Sequence, residues 1–208
     1  MRDTLSLQAL RALDAVSPGM GDQGDFPSLT AEKERRLAMM LDTHFDSVWR
    51  AGRRMGLLNA RAEENAQEVF TVAARKLDHI EAGRERAFLL GVAVRLAANA
   101  RRRMFARLEQ VGLDADECEV FDSGPLPDEI LAQKEQRSLL DQILLSMSDV
   151  LREVLTLYEI EELNLPEIAI ALEIPEGTAA SRLRRARAEF SRKLAGVAAR
   201  MVRHEEAP

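Results

Sequence analysis

The sequence predicts an all-α protein built as two small helical domains joined by an acidic flexible linker, the C-terminal domain being a helix-turn-helix. Three observations carry that expectation. Aromatic residues are 4% of the 208, with one Trp and one Tyr, while Leu, Ala, Arg and Glu dominate, a composition of helix formers. Apolar residues recur every three or four positions over long stretches. The net charge of -6 hides a segregation into blocks of opposite sign, which is how charge falls when basic domains are tethered by an acidic connector. With 46% hydrophobic and 31% charged residues there is apolar material for real cores, and the length suits two units of roughly 60 to 90 residues.

Residues 1–30 hold a short apolar-rich segment, Leu5 to Val16, followed by the loop chemistry of Ser17-Pro18-Gly19 through Gly24. They read as an appendage, either a frayed terminus or a short amphipathic helix that docks elsewhere. Residues 31–107 form the first domain, with Leu37, Met40, Leu41, Phe45, Val48, then Val69, Phe70, Ala73, Leu77, then Phe88, Leu89, Val92 and Leu96 marking three or four packed helices. From Arg50 to Arg107 it carries thirteen basic against six acidic residues. Residues 108–137 reverse the sign, nine acids against two bases, and contain the turn formers Asp122-Ser123-Gly124-Pro125-Leu126-Pro127 that mark a linker. Residues 138–203 form the second domain, with residues 204–208 a tail. Here Leu139, Ile143 and Leu144, then Val150, Leu151, Val154, Leu155 and Tyr158, predict two helices before a more informative segment.

That segment begins at Asn164-Leu165-Pro166-Glu167. Asn caps a helix, Pro is tolerated in its first turn, and Glu stands where a capping box needs it. Ile168, Ala169 and Leu172 predict its buried face, the small Ala169 permitting close approach of a crossing helix. Glu173-Ile174-Pro175 interrupts it, and a second helix starts at Pro175 or Glu176 with Ala179, Leu183, Ala186 and Phe190 on one stripe. On the opposite face Thr178, Ser181, Arg182 and Arg185 fall at i, i+3, i+4 and i+7, flanked by Arg184 and Arg187. Arginine binds guanine bidentately and neutralises phosphates, and hydroxyls donate to bases or phosphates, so this pattern points to DNA in the major groove. A solvated charged face is the plainer reading of an Arg-rich helix; the capped helix and Pro-marked turn before it favour DNA.

Other classes find no support. Cys118 stands alone, so no intramolecular disulfide forms, and His44, His79 and His204 are far apart, so neither a metal site nor a cofactor is expected. No nucleophile and base pair or Gly-rich phosphate loop suggests an enzyme. No apolar run approaches the roughly 18 to 20 residues of a membrane span, and Met1-Arg2-Asp3 lacks the order of a signal peptide, so a cytoplasmic protein without membrane insertion is expected.

The run Leu163-Asn164-Leu165-Pro166-Glu167-Ile168-Ala169, then Ile174-Pro175-Glu176-Gly177-Thr178 and Ser181-Arg182-Leu183-Arg184-Arg185-Ala186-Arg187, resembles region 4 of the extracytoplasmic-function group of bacterial sigma factors. Leu151-Arg152-Glu153-Val154-Leu155 resembles the helix preceding it there. Ala62-Glu63-Glu64-Asn65-Ala66-Gln67-Glu68-Val69-Phe70 is similar to the region 2 signature, as are Arg86-Ala87-Phe88-Leu89-Leu90 and Arg101-Arg102-Arg103. Glu173 stands where the family's turn usually has Gly, and Phe88 where it has Trp. The resemblance implies a bacterial transcription-initiation subunit that binds core RNA polymerase through the β′ clamp helices and the β flap. It further implies promoter DNA as a partner, its -35 element read by region 4 and its -10 element read and melted by region 2. Glu63, Glu64, Gln67 and Glu68 would then dock on the polymerase, and Lys76, Arg84, Arg86, Arg95, Arg101, Arg102 and Arg103 would contact DNA near the -10 element. The loop from Asp78 to Arg86 would hold a flipped base. A membrane-linked anti-sigma factor holding both domains in an occluded arrangement also fits the resemblance. The acidic linker is either a tether or a segment lying in the positively charged path later taken by RNA. The alternative is a stand-alone helix-turn-helix regulator that binds duplex DNA as a dimer.

Overall fold

The structure, a computed structural model, describes residues 30–111 and 131–205. All regular structure among these residues is helical: α1 (Ala31–Arg54), α2 (Asn59–Arg75), a 3-10 turn (Leu77–His79), α3 (Glu85–Val111), α4 (Leu131–Ser146), α5 (Asp149–Leu155) continued by a π-helical turn (Thr156–Ile160), α6 (Leu165–Leu172) and α7 (Glu176–Glu205). The appendage up to residue 29, the centre of the acidic linker and Cys118 lie outside the described residues. Helix enters the segment assigned to the linker from both sides, because α3 runs on to Val111 and α4 already begins at Leu131. Leu131-Ala132-Gln133-Lys134-Glu135-Gln136-Arg137 is a run of strong helix formers, and local propensity prevails over net charge there.

Helices α1, α2 and α3 pack mutually. Helix α1 places Glu32 and Glu34 in its first turn and Arg53 and Arg54 in its last, matching the helix dipole at both ends. Its apolar stripe, Leu37, Met40, Leu41 and Val48, meets Ala62, Ala66, Val69 and Phe70 of α2 and Leu89, Leu90, Ala93 and Ala97 of α3 in one core. Phe45 and Phe70 stack with centroids 6.3 Å apart. Asn65, buried at the centre, donates its side-chain amide to the Ala93 carbonyl at 3.4 Å. The turn after α1 needs a residue with φ of +94°, and Gly56 supplies it.

The C-terminal helices bury Ile143, Leu144, Val154, Leu157, Ile168, Leu183 and Ala186. Two expectations change here. Val150, expected on the buried stripe, is 44% exposed, since the short α5 buries Arg152, Val154 and Leu155 instead. In α6 the fully buried alanine is Ala171 and not Ala169, which is only half-buried. The reason is that α6 is packed on two sides, by α7 and by α3. The two groups of helices therefore share a joint, with α3 against α6 and smaller contacts of α1 with α4 and α3 with α5. At its centre Gly91 lies so close to α6 that a Cβ there would collide with the Ala171 carbonyl and reach 2.8 Å from the Ala171 Cα.

Candidate nucleic-acid interface

Local chemistry fixes the helix-turn-helix. The Asn164 side chain accepts from the Glu167 amide at 2.9 Å, and the Glu167 carboxylate accepts from the Asn164 amide at 2.8 Å, the reciprocal capping box. Helix α6 ends on Glu173 in the left-handed region, φ +56°, whose amide reaches back to the Ile170 carbonyl. Pro175 then offers its carbonyl to the amides of Thr178 and Ala179, starting α7. Ala179, Leu183 and Ala186 are buried, while Phe190 is half-buried.

That packing turns the other face of α7 outward. Arg184, Arg185 and Arg187 are exposed, and Thr178, Ser181 and Arg182 are half-buried. The Ser181 hydroxyl donates to the Thr178 carbonyl at 2.9 Å. Arg187 has a second employment: its Nε meets Glu159 at 2.6 Å and its guanidinium lies 4.9 Å from the Tyr158 ring centroid, tying α7 to the π-helical turn. Burial pushes the Glu153 carboxyl up to about 7, Asp149 adding to the rise and Arg102, Arg182 and Arg152 opposing it.

The second basic array runs from the end of α2 through the loop before α3 and along α3. Lys76, Arg84, Arg102 and Arg103 are exposed, with Arg84 paired to Glu81 at 3.0 Å and Arg102 hydrogen-bonded to Asn99 at 2.6 Å. Arg86, Arg95 and Arg101 instead face the joint. Arg86 meets Glu161 at 3.3 Å, Arg95 meets Glu173 at 2.6 Å, and Arg101 lies 4.0 Å from Asp149 while donating to the Leu145 carbonyl at 3.3 Å. Glu161 is almost fully buried, and that burial raises its carboxyl above the usual range against the pull of Arg86, Arg50 and Arg54. Glu173 goes the other way, held below that range by the Arg95 hydrogen bond and charge.

Between α2 and α3 the loop expected to hold a base is clamped by residues the sequence reading did not single out. Arg36 donates to the Leu77 carbonyl at 3.2 Å, the Ile80 carbonyl at 2.6 Å and the Glu85 carboxylate at 2.8 Å. Lys33 meets Asp78 at 2.7 Å. The clamp leaves Glu81, Ala82, Gly83 and Arg84 exposed at the tip, Gly83 with φ of +83°. Nothing in the sequence marks Arg36, since one arginine on an amphipathic helix carries no record of carbonyls more than forty positions away.

Arg152, within the run Leu151-Arg152-Glu153-Val154-Leu155, also has a role that its sequence position does not mark. Its guanidinium is completely buried and donates to the carbonyls of Leu144, Met55, Leu145 and Met147 at 2.7 to 3.2 Å, with Asp149 3.1 Å away. Burial pushes its pKa down to about 10, so it stays charged at neutral pH. The bond to Met55 crosses the joint. On α2, Glu63, Glu64, Gln67 and Glu68 all stand exposed on one face, with Glu64 paired to Arg61 at 2.7 Å. Among the described residues no group of three or more His, Cys, Asp or Glu side chains is placed to hold a metal ion, and no helix is long and apolar enough to cross a membrane.

Residues 137–190 match the family model for sigma-70, region 4. The chain is 28% identical over 183 residues to the ECF RNA polymerase sigma-E factor of Escherichia coli (strain K12), covering 84% of this chain and 88% of that one. It is 28% identical over 167 residues to the ECF RNA polymerase sigma factor SigW of Bacillus subtilis (strain 168), covering 76% and 88%. Among solved structures, the fold is similar to CnrH in its complex with the cytosolic domain of CnrY, with a TM-score of 0.57, 19% identity and coverage of 92% and 97%. It is also similar to the sigma factor RpoE in complex with the anti-sigma factor NepR from Bartonella quintana, with a TM-score of 0.60, 17% identity and coverage of 79% and 98%.

Proposed function

Because this chain belongs to the extracytoplasmic-function group of sigma-70 transcription-initiation factors, we propose that it divides promoter recognition between its two basic helices. Helix α7 enters the major groove of the -35 element, with Arg182 and Arg185 at base edges, Thr178 and Ser181 on bases or phosphates, and Arg184 and Arg187 on phosphates. The domain of residues 31–107 takes the -10 element: Lys76, Arg84, Arg86, Arg95, Arg101, Arg102 and Arg103 hold its backbone, and the tip of the loop clamped by Arg36 receives an unstacked base. The carrying observation is the capped helix-turn-helix whose second helix buries Ala179, Leu183 and Ala186 and thereby turns Arg184 and Arg185 to solvent.

The exposed acidic face Glu63, Glu64, Gln67 and Glu68 docks on the β′ clamp helices of core polymerase, and residues 138–203 contact the β flap. That four polar side chains share one uncovered face of a helix otherwise packed into the core supports this reading. An anti-sigma partner is part of the proposal, as RpoE takes NepR.

The test is to mix the purified protein with bacterial core RNA polymerase and a fragment spanning its own upstream region. Co-elution with core and a discrete transcript are expected, and Glu68→Lys loses co-elution while keeping its helical circular dichroism. Tight dimeric binding to duplex DNA with no affinity for core returns the stand-alone regulator.

A further inference from the structure

Arg187 stands three positions beyond Arg184, at the edge of the recognition face where α7 meets the π-helical turn. Its Nε donates to the Glu159 carboxylate at 2.6 Å and its guanidinium lies 4.9 Å from the Tyr158 ring centroid. Glu159 thus takes one donor of the guanidinium fork and leaves the Nη edge for another acceptor, on a side chain that remains 52% exposed. The π-helical turn that supplies both anchors carries a cost of its own. The Thr156 hydroxyl inside it is fully buried and has no hydrogen-bond partner among the described residues, so its own bonds do not account for its form. What the widened turn does supply is the placement of two consecutive residues, Tyr158 and Glu159, on one arginine of α7. An exposed ion pair of this kind adds little to stability, and a carboxylate beside a basic face opposes phosphate by its charge. What the pair gives is order: an arginine already held at Nε and stacked on a ring has less rotamer freedom to lose when a phosphate captures it.

We propose that Glu159 and Tyr158 are positioning residues of the -35 interface, which hold Arg187 in advance with its Nη edge presented to a backbone phosphate beside the groove that α7 enters. The proposal rests on the reading of α7 as the -35 helix. Arg184 and Arg185 have no such anchor among the described residues and meet DNA as solvated side chains. Arg187 is the fixed point among them. A phosphate contact carries no sequence information, but it sets where a recognition helix sits along the duplex, so the anchored arginine fixes the register from which Arg182 and Arg185 reach the bases.

The experiment uses the full-length protein and a short labelled duplex of mixed sequence at low salt, since a phosphate contact is made whatever the bases. Fluorescence anisotropy gives the affinity and its dependence on salt. Arg187→Ala is expected to reduce the magnitude of the salt slope by about 0.9, the value of one phosphate. Glu159→Gln removes a negative charge from the edge of a basic face, so simple electrostatics predicts tighter binding. The positioning role predicts the opposite sign: binding weaker by about three- to tenfold, the cost of ordering one arginine on DNA, with the salt slope falling toward that of Arg187→Ala. Tyr158→Leu should weaken binding in the same direction. In the Arg187→Ala background Glu159→Gln should cause no further loss. Glu159 is exposed, so the variant keeps its helical circular dichroism. Unchanged or tighter binding by Glu159→Gln, or an equal loss in the Arg187→Ala background, overturns the proposal. Arg184→Ala with Arg185→Ala is scored separately. Unchanged duplex affinity there defeats the reading of α7 and the proposal with it, whereas a loss there beside an unweakened Glu159→Gln defeats the positioning role alone.

Discussion

Helices α3 and α7 both carry dense runs of arginine, but they stand in opposite electrostatic situations. On α7 the apolar stripe Ala179, Leu183, Ala186 is buried and the arginines of the far face are left to water. On α3 both faces are used: Leu89, Leu90 and Ala97 go into the N-terminal core, and Arg86, Arg95 and Arg101 go into a joint supplied with carboxylates. The lesson is that a basic residue count measures capacity for nucleic acid and says little about availability. Availability depends on what the rest of the chain presents to those charges.

The strongest way to break the comparison is at Arg152, the cation whose only position is inside the joint. Arg152→Ala leaves four backbone carbonyls without their donor and a cavity among them, for an expected loss of about 3–5 kcal/mol in urea denaturation. A loss below about 1 kcal/mol would show that the carbonyls find other donors.

Arg182→Ala tests the open helix. Promoter-directed transcription should weaken by about 1–3 kcal/mol if the residue reads a base, with the melting temperature nearly unchanged. Normal transcription removes Arg182 from the recognition face.

Glu153, between the two arrays, sharpens the comparison through pH. Its folded pKa of about 7 lies above its ordinary 4.5, so in that window the folded protein keeps a proton that the unfolded chain has released. Its contribution is intact at low pH and is lost as pH rises through about 7. Glu153→Gln should therefore stabilise the protein by about 1–2 kcal/mol at pH 8 and far less near pH 5, read as the difference in unfolding free energy from wild type. A gain independent of pH points to packing instead.

The smallest effect is expected at Asn164→Ala. Losing the capping box should cost about 1 kcal/mol and fray the start of α6, seen as faster amide exchange at Glu167 with little change in α3.

What was legible in the sequence is what is local. Asn164, Glu167 and Pro175 announce a cap and a break within a few positions, and the 3.6-residue period places Ile168, Leu172, Leu183 and Ala186 inside. The face formed by Glu63, Glu64, Gln67 and Glu68 follows from the same period. The joint is illegible because each of its contacts pairs helices far apart in sequence and leaves no periodic trace. Arg152 and Glu161 look like ordinary surface charges until Met55 and Arg86 are brought to them. The failed expectation for Ala169 has the same origin, since a second packing partner for α6 rotates the buried alanine to Ala171. Gly91 carried the one available signal: a glycine inside the strongly helical Leu89-Leu90-Gly91-Val92-Ala93-Val94 marks a place where another backbone comes close.

The central claim, that one basic face is open and the other closed, is tested most directly by arginine-selective labelling of the free wild-type protein with phenylglyoxal, read residue by residue by mass spectrometry. Arg184 and Arg185 should react at the rate of a solvated guanidinium, and Arg86, Arg95 and Arg101 should lag well behind them. Equal rates on α3 and α7 would contradict the account.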